Sequence, residues 1–142
     1  MRFTPEDTDA AVTWTLTRAA RNLEHRLTAV IAEYGLSPVQ MGVLVQLATY
    51  DSLTRAELAR LTLTSPQSMA GVIDGMVAKG LLLFGGDGGR GRPNPITMTP
   101  QGAATLEALW PAFMEANSAE ALGLSEAEAA SLNKILHRLR TL

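Results

Sequence analysis

Between Thr54 and Gly102 the chain reads as two short helices, a tight turn between them and a glycine-rich hairpin after them, an order that few folds accommodate. The first helix, TRAELARL, opens on a capping box. The Thr54 hydroxyl can accept from the free amide three residues on, while Glu57 reaches back to the amide of Thr54. Leu58 and Leu61 then share a face. After the turn Leu61-Thr62-Leu63-Thr64, Ser65 and Pro66 mark a second start: a hydroxyl cap, then a proline whose missing N–H costs nothing at the first helical position. Met69, Val72, Ile73, Met76 and Val77 follow at helical spacing and predict a buried face. They leave Gln67, Ser68, Ala70, Gly71, Asp74 and Gly75 toward solvent. Lys79-Gly80 ends this helix with a cation at the negative end of the dipole and a glycine able to take the left-handed conformation.

Two short helices joined in this way predict a helix-turn-helix, whose second helix reads a major groove. Leu81 to Phe84 and Ile96 to Thr99 flank a loop carrying Arg90 and Arg92, the pattern of a wing that reaches phosphates or a minor groove. Gln67 and Ser68 fall in the first turn of the second helix, where side chains meet base edges. Gln can pair with adenine at two places, and Ser can serve a base or a phosphate. Ser65 is a cap first and a phosphate contact second. Gly86-Asp87-Gly88-Gly89-Arg90-Gly91 formally satisfies a dinucleotide fingerprint, but Arg92-Pro93-Asn94-Pro95 forbids the helix that such a loop must open.

The rest of the chain is predicted to be helical. Met1 to Asp9, with Pro5, reads as an extended arm. From about Ala10, Val12, Leu16, Ala19, Leu23, Leu27, Val30 and Tyr34 describe one long amphipathic helix ended by Gly35. Ser37, Pro38 and Gln40 start another, with Val39, Val43, Leu44 and Leu47 on its inner face and its end near Tyr50-Asp51. Thr99 caps a helix that begins at Pro100, with Leu106, Leu109, Trp110 and Phe113 on its apolar side and Pro111 within it. Gly123 breaks the pattern. Ser125 and Glu128 open a last helix striped by Leu132, Ile135, Leu136 and Leu139. The expected class is mainly α: six helices and one β-hairpin wing.

Ser37-Pro38-Val39-Gln40, Glu57-Leu58-Ala59, Ser65-Pro66-Gln67-Ser68-Met69, Lys79-Gly80-Leu81, Gly91-Arg92 and Met98-Thr99-Pro100-Gln101-Gly102 occur in an order that resembles the MarR family of winged-helix transcriptional regulators. The resemblance covers nearly the whole chain. It implies one domain over 1–142, with the winged helix-turn-helix at about 37–102 and dimerisation helices at about 10–34 and 100–142. It also implies a homodimer on double-stranded DNA, acting as a repressor, with a small aromatic or anionic effector between the dimer helices and the winged part. The matching elements offer Trp14, Arg18, Arg21, Met41 and Trp110 for that effector, and Arg92 matches the wing arginine. Physical reasoning agrees on the dimer, since two-fold symmetry sets two recognition helices one DNA turn apart on a palindrome. Two departures stand out: Gly71 occupies a position often basic in the family, and no aspartate precedes Arg90-Gly91-Arg92. Gly71, Asp74 and a modest local charge support a second reading, a winged-helix module that binds another protein and has lost DNA binding.

Charge and composition narrow the function further. The net charge is −2, yet Thr54 to Gly102 holds five cations (Arg55, Arg60, Lys79, Arg90, Arg92) against three anions, so this segment is +2 and the remainder −4. That asymmetry suits DNA contact by Arg55, Arg60 and the wing. No cysteine occurs, which removes disulfides, thiolate metal sites and thiol-based sensing. His25 and His137 have no ligand partners at metal spacing. No activated nucleophile, metal site or cofactor motif points to an enzyme. Without a signal-type segment or a run of about eighteen apolar residues, a cytoplasmic protein without membrane contact is expected.

Overall fold

The capping residues legible in the sequence set the element boundaries of the fold. The computed structural model describes residues 2–85 and 94–141, and within them eight helices and a three-stranded antiparallel sheet. In chain order these are α1 (Pro5–Asp9), α2 (Val12–Ala32), α3 (Pro38–Tyr50), β1 (Ser52–Leu53), α4 (Arg55–Leu61), α5 (Pro66–Ala78), β2 (Leu82–Phe84), β3 (Ile96–Met98), α6 (Pro100–Ala116), α7 (Ala119–Leu122) and α8 (Glu126–Arg140). The boxes at Ser37, Thr54 and Ser125 form with both reciprocal bonds. At Thr54 the backbone amide donates to Glu57 Oε2 at 2.8 Å, and the Glu57 amide donates to Thr54 Oγ1 at 3.2 Å.

Three expectations are corrected. The N-terminal arm is not wholly extended, because Thr4 and Asp7 form a further capping box that starts α1 at Pro5. The helix from Pro100 runs through Pro111 but stops at Ala116, well before the break at Gly123. There the Asn117 side chain donates to the Phe113 carbonyl at 2.7 Å and the Ser118 hydroxyl caps α7, so local side-chain bonds replace the helical ladder. Ser52–Leu53 forms a strand, Ser52 facing Thr97 and Leu53 facing Ile96, which gives the sheet the order β1-β3-β2.

The core lies where α3, α4, α5, the sheet and α6 converge. Leu44, Leu58, Met69, Ile73, Met76, Leu82, Ile96 and Leu109 are fully buried there. Gly102 lets α6 approach the wing base, because a Cβ at that position would run into the Leu81 carbonyl and the Met98 side chain. The Thr99 amide donates to that carbonyl at 3.0 Å, and the Thr99 hydroxyl to the Gly80 carbonyl at 2.6 Å. The start of α6 and the end of α5 are thereby tied together, and they carry the wing between them.

Candidate nucleic-acid interface

The second helix of the motif, α5, is built to bury one face and expose the other. Met69, Ile73 and Met76 lie in the core, while Gln67, Ser68, Gly71, Asp74 and Gly75 are exposed. At its start the Ser65 hydroxyl accepts from the Ser68 amide at 3.1 Å and donates to the Ser68 hydroxyl at 2.9 Å. Ser65 and Ser68 are thus a bonded pair at the helix N-terminus, with Gln67 free to project beside them. At its other end Gly80, at φ +76°, lets its own amide donate to Val77 and the Leu81 amide to Met76, both at 2.9 Å. This Schellman closure turns the chain directly into β2.

The turn between α4 and α5 carries a feature that the sequence does not announce. Leu63 sits in the left-handed region at φ +54° and is 95% exposed, a conformation that disfavours a branched apolar side chain. Its neighbours hold it there: the Thr64 amide donates to the Ala59 carbonyl at 2.9 Å, and the Thr62 hydroxyl donates to the Leu58 carbonyl at 2.7 Å.

The wing base is antiparallel, with Leu82 opposite Met98, Leu83 opposite Thr97 and Phe84 opposite Ile96. The Gly85 amide donates to the Pro95 carbonyl at 2.7 Å and continues the ladder one step outward. Arg90 and Arg92, and the glycine run around them, lie outside the described residues.

Arg55, in the first turn of α4, joins the parts. Its Nη2 lies 3.4 Å from Asp74 Oδ1 on α5, and its guanidinium carbon lies 5.9 Å from the centroid of the Phe84 ring on β2. Below it Glu57 titrates lower than an ordinary glutamate, first because the Thr54 amide donates to it, then through the Thr54 hydroxyl and the charge of Arg60. Sequence reading selected Arg55 but not these partners, which are separated from it by 19 and 29 residues and share no local pattern with it.

Away from the helix-turn-helix, a cavity of about 450 Å³ opens between α2, α3 and α6. Leu23, Leu27, Ile31, Met41, Trp110 and Phe113 supply most of its wall, with the Trp110 and Phe113 rings 5.5 Å apart. Two of the expected effector residues, Met41 and Trp110, meet there. Trp14, Arg18 and Arg21 are not among its lining residues; all three are exposed on α2, where Arg18 pairs with Asp9 at 3.3 Å. Glu24 is the one charged lining residue. The leucines were legible in the stripe of α2, but periodicity cannot say that they would face a cavity.

A capped recognition helix, its supporting helix and an antiparallel wing define a winged helix-turn-helix protein. Residues 34–92 match the sequence profile of the MarR family. A probable transcriptional regulator from Pseudomonas aeruginosa shares 30% identity and a TM-score of 0.75, over 92% of this chain and 98% of that one. A MarR family transcriptional regulator from Silicibacter pomeroyi superposes with a TM-score of 0.81 at 20% identity, over 97% and 92% of the two chains. A MarR family protein of Mycobacterium tuberculosis in complex with DNA matches at 23% identity and a TM-score of 0.76, over 91% and 97%. The same protein is also known in complex with salicylic acid. Comparison with curated protein sequences gives no match. The chain belongs to the MarR family and has the fold of its transcriptional regulators. No helix among the described residues is long and apolar enough to cross a membrane.

Proposed function

We propose that this protein is a cytoplasmic, ligand-responsive repressor that binds a palindromic operator as a homodimer. The observation that carries the reading is the start of α5, where a serine-capped N-terminus presents Gln67 and Ser68 to solvent beside the wing base. Gln67 and Ser68 read base edges, Ser65 and Arg55 meet phosphate, and Arg90 and Arg92 reach from the wing to phosphate or minor groove. The DNA complex of the M. tuberculosis relative supports this use of the fold.

Dimerisation rests on the terminal helices. α8 buries none of its residues, and Leu132, Ile135 and Leu139 form an exposed apolar stripe along it. Such a stripe on a regulator fold is an interface awaiting its partner. A second copy, related by a two-fold axis, covers it and sets the two recognition helices one DNA turn apart.

The cavity beside Trp110 suits a small aromatic effector, and salicylic acid on the M. tuberculosis relative supports that class. Its lining offers ring and methyl surface, one carboxylate and no cation, which favours the aromatic over the anionic part of the expectation. A ligand there wedges α2 against α3 and α6, favouring a dimer whose recognition helices no longer match the groove spacing.

Selection of bound fragments from random duplex DNA, with light scattering on the same sample, tests the reading. An enriched inverted repeat and a dimer's mass are expected. Absence of enrichment even at low salt would favour the protein-binding alternative, for which the uncharged Gly71, the acidic Asp74 and the exposed Leu63 provide a surface.

A further inference from the structure

Asp74 is badly placed for a DNA-binding helix. It stands on the exposed face of α5, where a carboxylate repels phosphate, and inside a helix, where aspartate is a weak former. Its neighbours one turn away on the same helix, Gly71 and Ala78, offer it no countercharge. The cation it meets comes from another element, Arg55 of α4, at 3.4 Å. The same guanidinium lies against the Phe84 ring, so one side chain bridges the supporting helix, the recognition helix and the wing strand. Beneath it runs a cleft of about 460 Å³ lined by Thr54, Arg55, Pro66, Phe84, Asn94 and Ile96.

We infer that Asp74 is a positioning residue that keeps Arg55 off the DNA backbone until a phosphate displaces it. The inference rests on the DNA-binding reading above and adds a control on it. Both partners are partly exposed, and an ion pair of that kind is weak enough to exchange. A phosphate that approaches the first turn of α4 therefore competes with Asp74 for one guanidinium. On DNA of arbitrary sequence the internal pair persists and Arg55 contributes no contact. On a duplex that seats α5 fully in the groove, Arg55 is transferred to phosphate, and the tie between α4 and α5 opens. The pair thus lowers non-specific affinity more than specific affinity, a device that raises discrimination without touching a base.

The test is a double-mutant cycle on a mixed-sequence duplex over a salt series, using the full chain, Asp74→Asn, Arg55→Ala and the combined variant, each checked for folding by circular dichroism. Asp74→Asn is expected to tighten binding about fivefold. It should also steepen the dependence of log affinity on log salt by about 0.9, one additional phosphate contact. Both changes should vanish in the Arg55→Ala background. A gain that survives in Arg55→Ala would overturn the inference, since Asp74 would then act by general repulsion. A wild-type protein that binds duplex while Asp74→Asn gains nothing overturns it as well and leaves the DNA reading intact. Failure of every variant to bind duplex at low salt would remove the DNA reading and this inference with it.

Discussion

The recognition helix α5 and the last helix α8 carry the same kind of apolar stripe, with opposite outcomes. In α5, Met69, Ile73 and Met76 are wholly removed from solvent by α3, α4 and the sheet. In α8, Leu132, Ile135 and Leu139 remain 43%, 44% and 40% exposed, and the helix packs on α7. Most of α2 behaves like α8, with Val12, Trp14 and Leu23 exposed and burial reached only at Ile31. Amphipathic periodicity therefore states that a face seeks cover and not what provides it. Where the chain supplies cover, the stripe becomes core. Where it does not, each large apolar side chain forgoes the part of its full burial gain, about 1.5–3 kcal/mol, that its exposed surface represents, roughly two-fifths for the α8 leucines and isoleucine. That deficit is the physical argument for a second subunit.

The largest effect is expected where the comparison is sharpest. Ile135→Glu places a charge in the middle of the α8 stripe and should dissociate the proposed dimer, halving the mass in light scattering. Operator affinity should then fall by on the order of 100-fold, because two half-sites no longer act together. A dimer with unchanged affinity would show that the stripe is not the interface.

Next come truncations of equal size in the two regions. Leu58→Ala removes a fully buried side chain and should cost about 2–5 kcal/mol in denaturant unfolding. Leu132→Ala, measured in the dissociated Ile135→Glu protein, should stay within about 0.5 kcal/mol of its parent. Comparable losses at both sites would mean that α8 belongs to the monomer core after all. Smaller than the Leu58 loss, and of opposite sign, is Gly71→Ala on the exposed face of α5. A Cβ there meets nothing within 4 Å, and the helix should gain about 1 kcal/mol, read as a higher unfolding midpoint.

What the sequence made legible is what short-range chemistry decides. Thr54 with Glu57, Ser37 with Gln40 and Ser125 with Glu128 place helix starts because cap and partner are three residues apart. Gly80 marks an end because its conformation is a property of that residue. Thr4 with Asp7 offered the same kind of signal at α1, where the proline reads equally well as part of an arm. Strand β1 was not legible, since a two-residue strand exists only through Thr97 and Ile96, more than forty residues away. The pairing of Arg55 with Asp74 and Phe84 depends on how three elements dock, and so does the wall that Met41 and Trp110 share. Leu63 had no signal at all, because residue type argues against the backbone that the turn imposes on it.

The last prediction uses the capping boxes to separate the two regions by pH. Glu57 and Glu128 make the same contacts: each accepts from the amide of its cap residue at 2.8 Å and returns its own amide to the cap hydroxyl at 3.2 Å. Both titrate below the ordinary value of 4.5, chiefly because of that backbone amide and then the cap hydroxyl. A depressed carboxylate stabilises the fold above its unfolded value, and the contribution is lost as pH falls from there through the folded value. Acid should therefore open both boxes over a similar range, with unequal consequences. α4 keeps Leu58 and Ala59 in the core when its box opens, whereas α8 in the dissociated Ile135→Glu protein has only its cap, its terminal charges and its packing on the short α7. Amide exchange followed by NMR through this range should show α8 losing protection first and α4 following only with the core. Simultaneous loss would mean that α8 is held by more than its own sequence, and that the contrast with the recognition helix is smaller than its exposed stripe indicates.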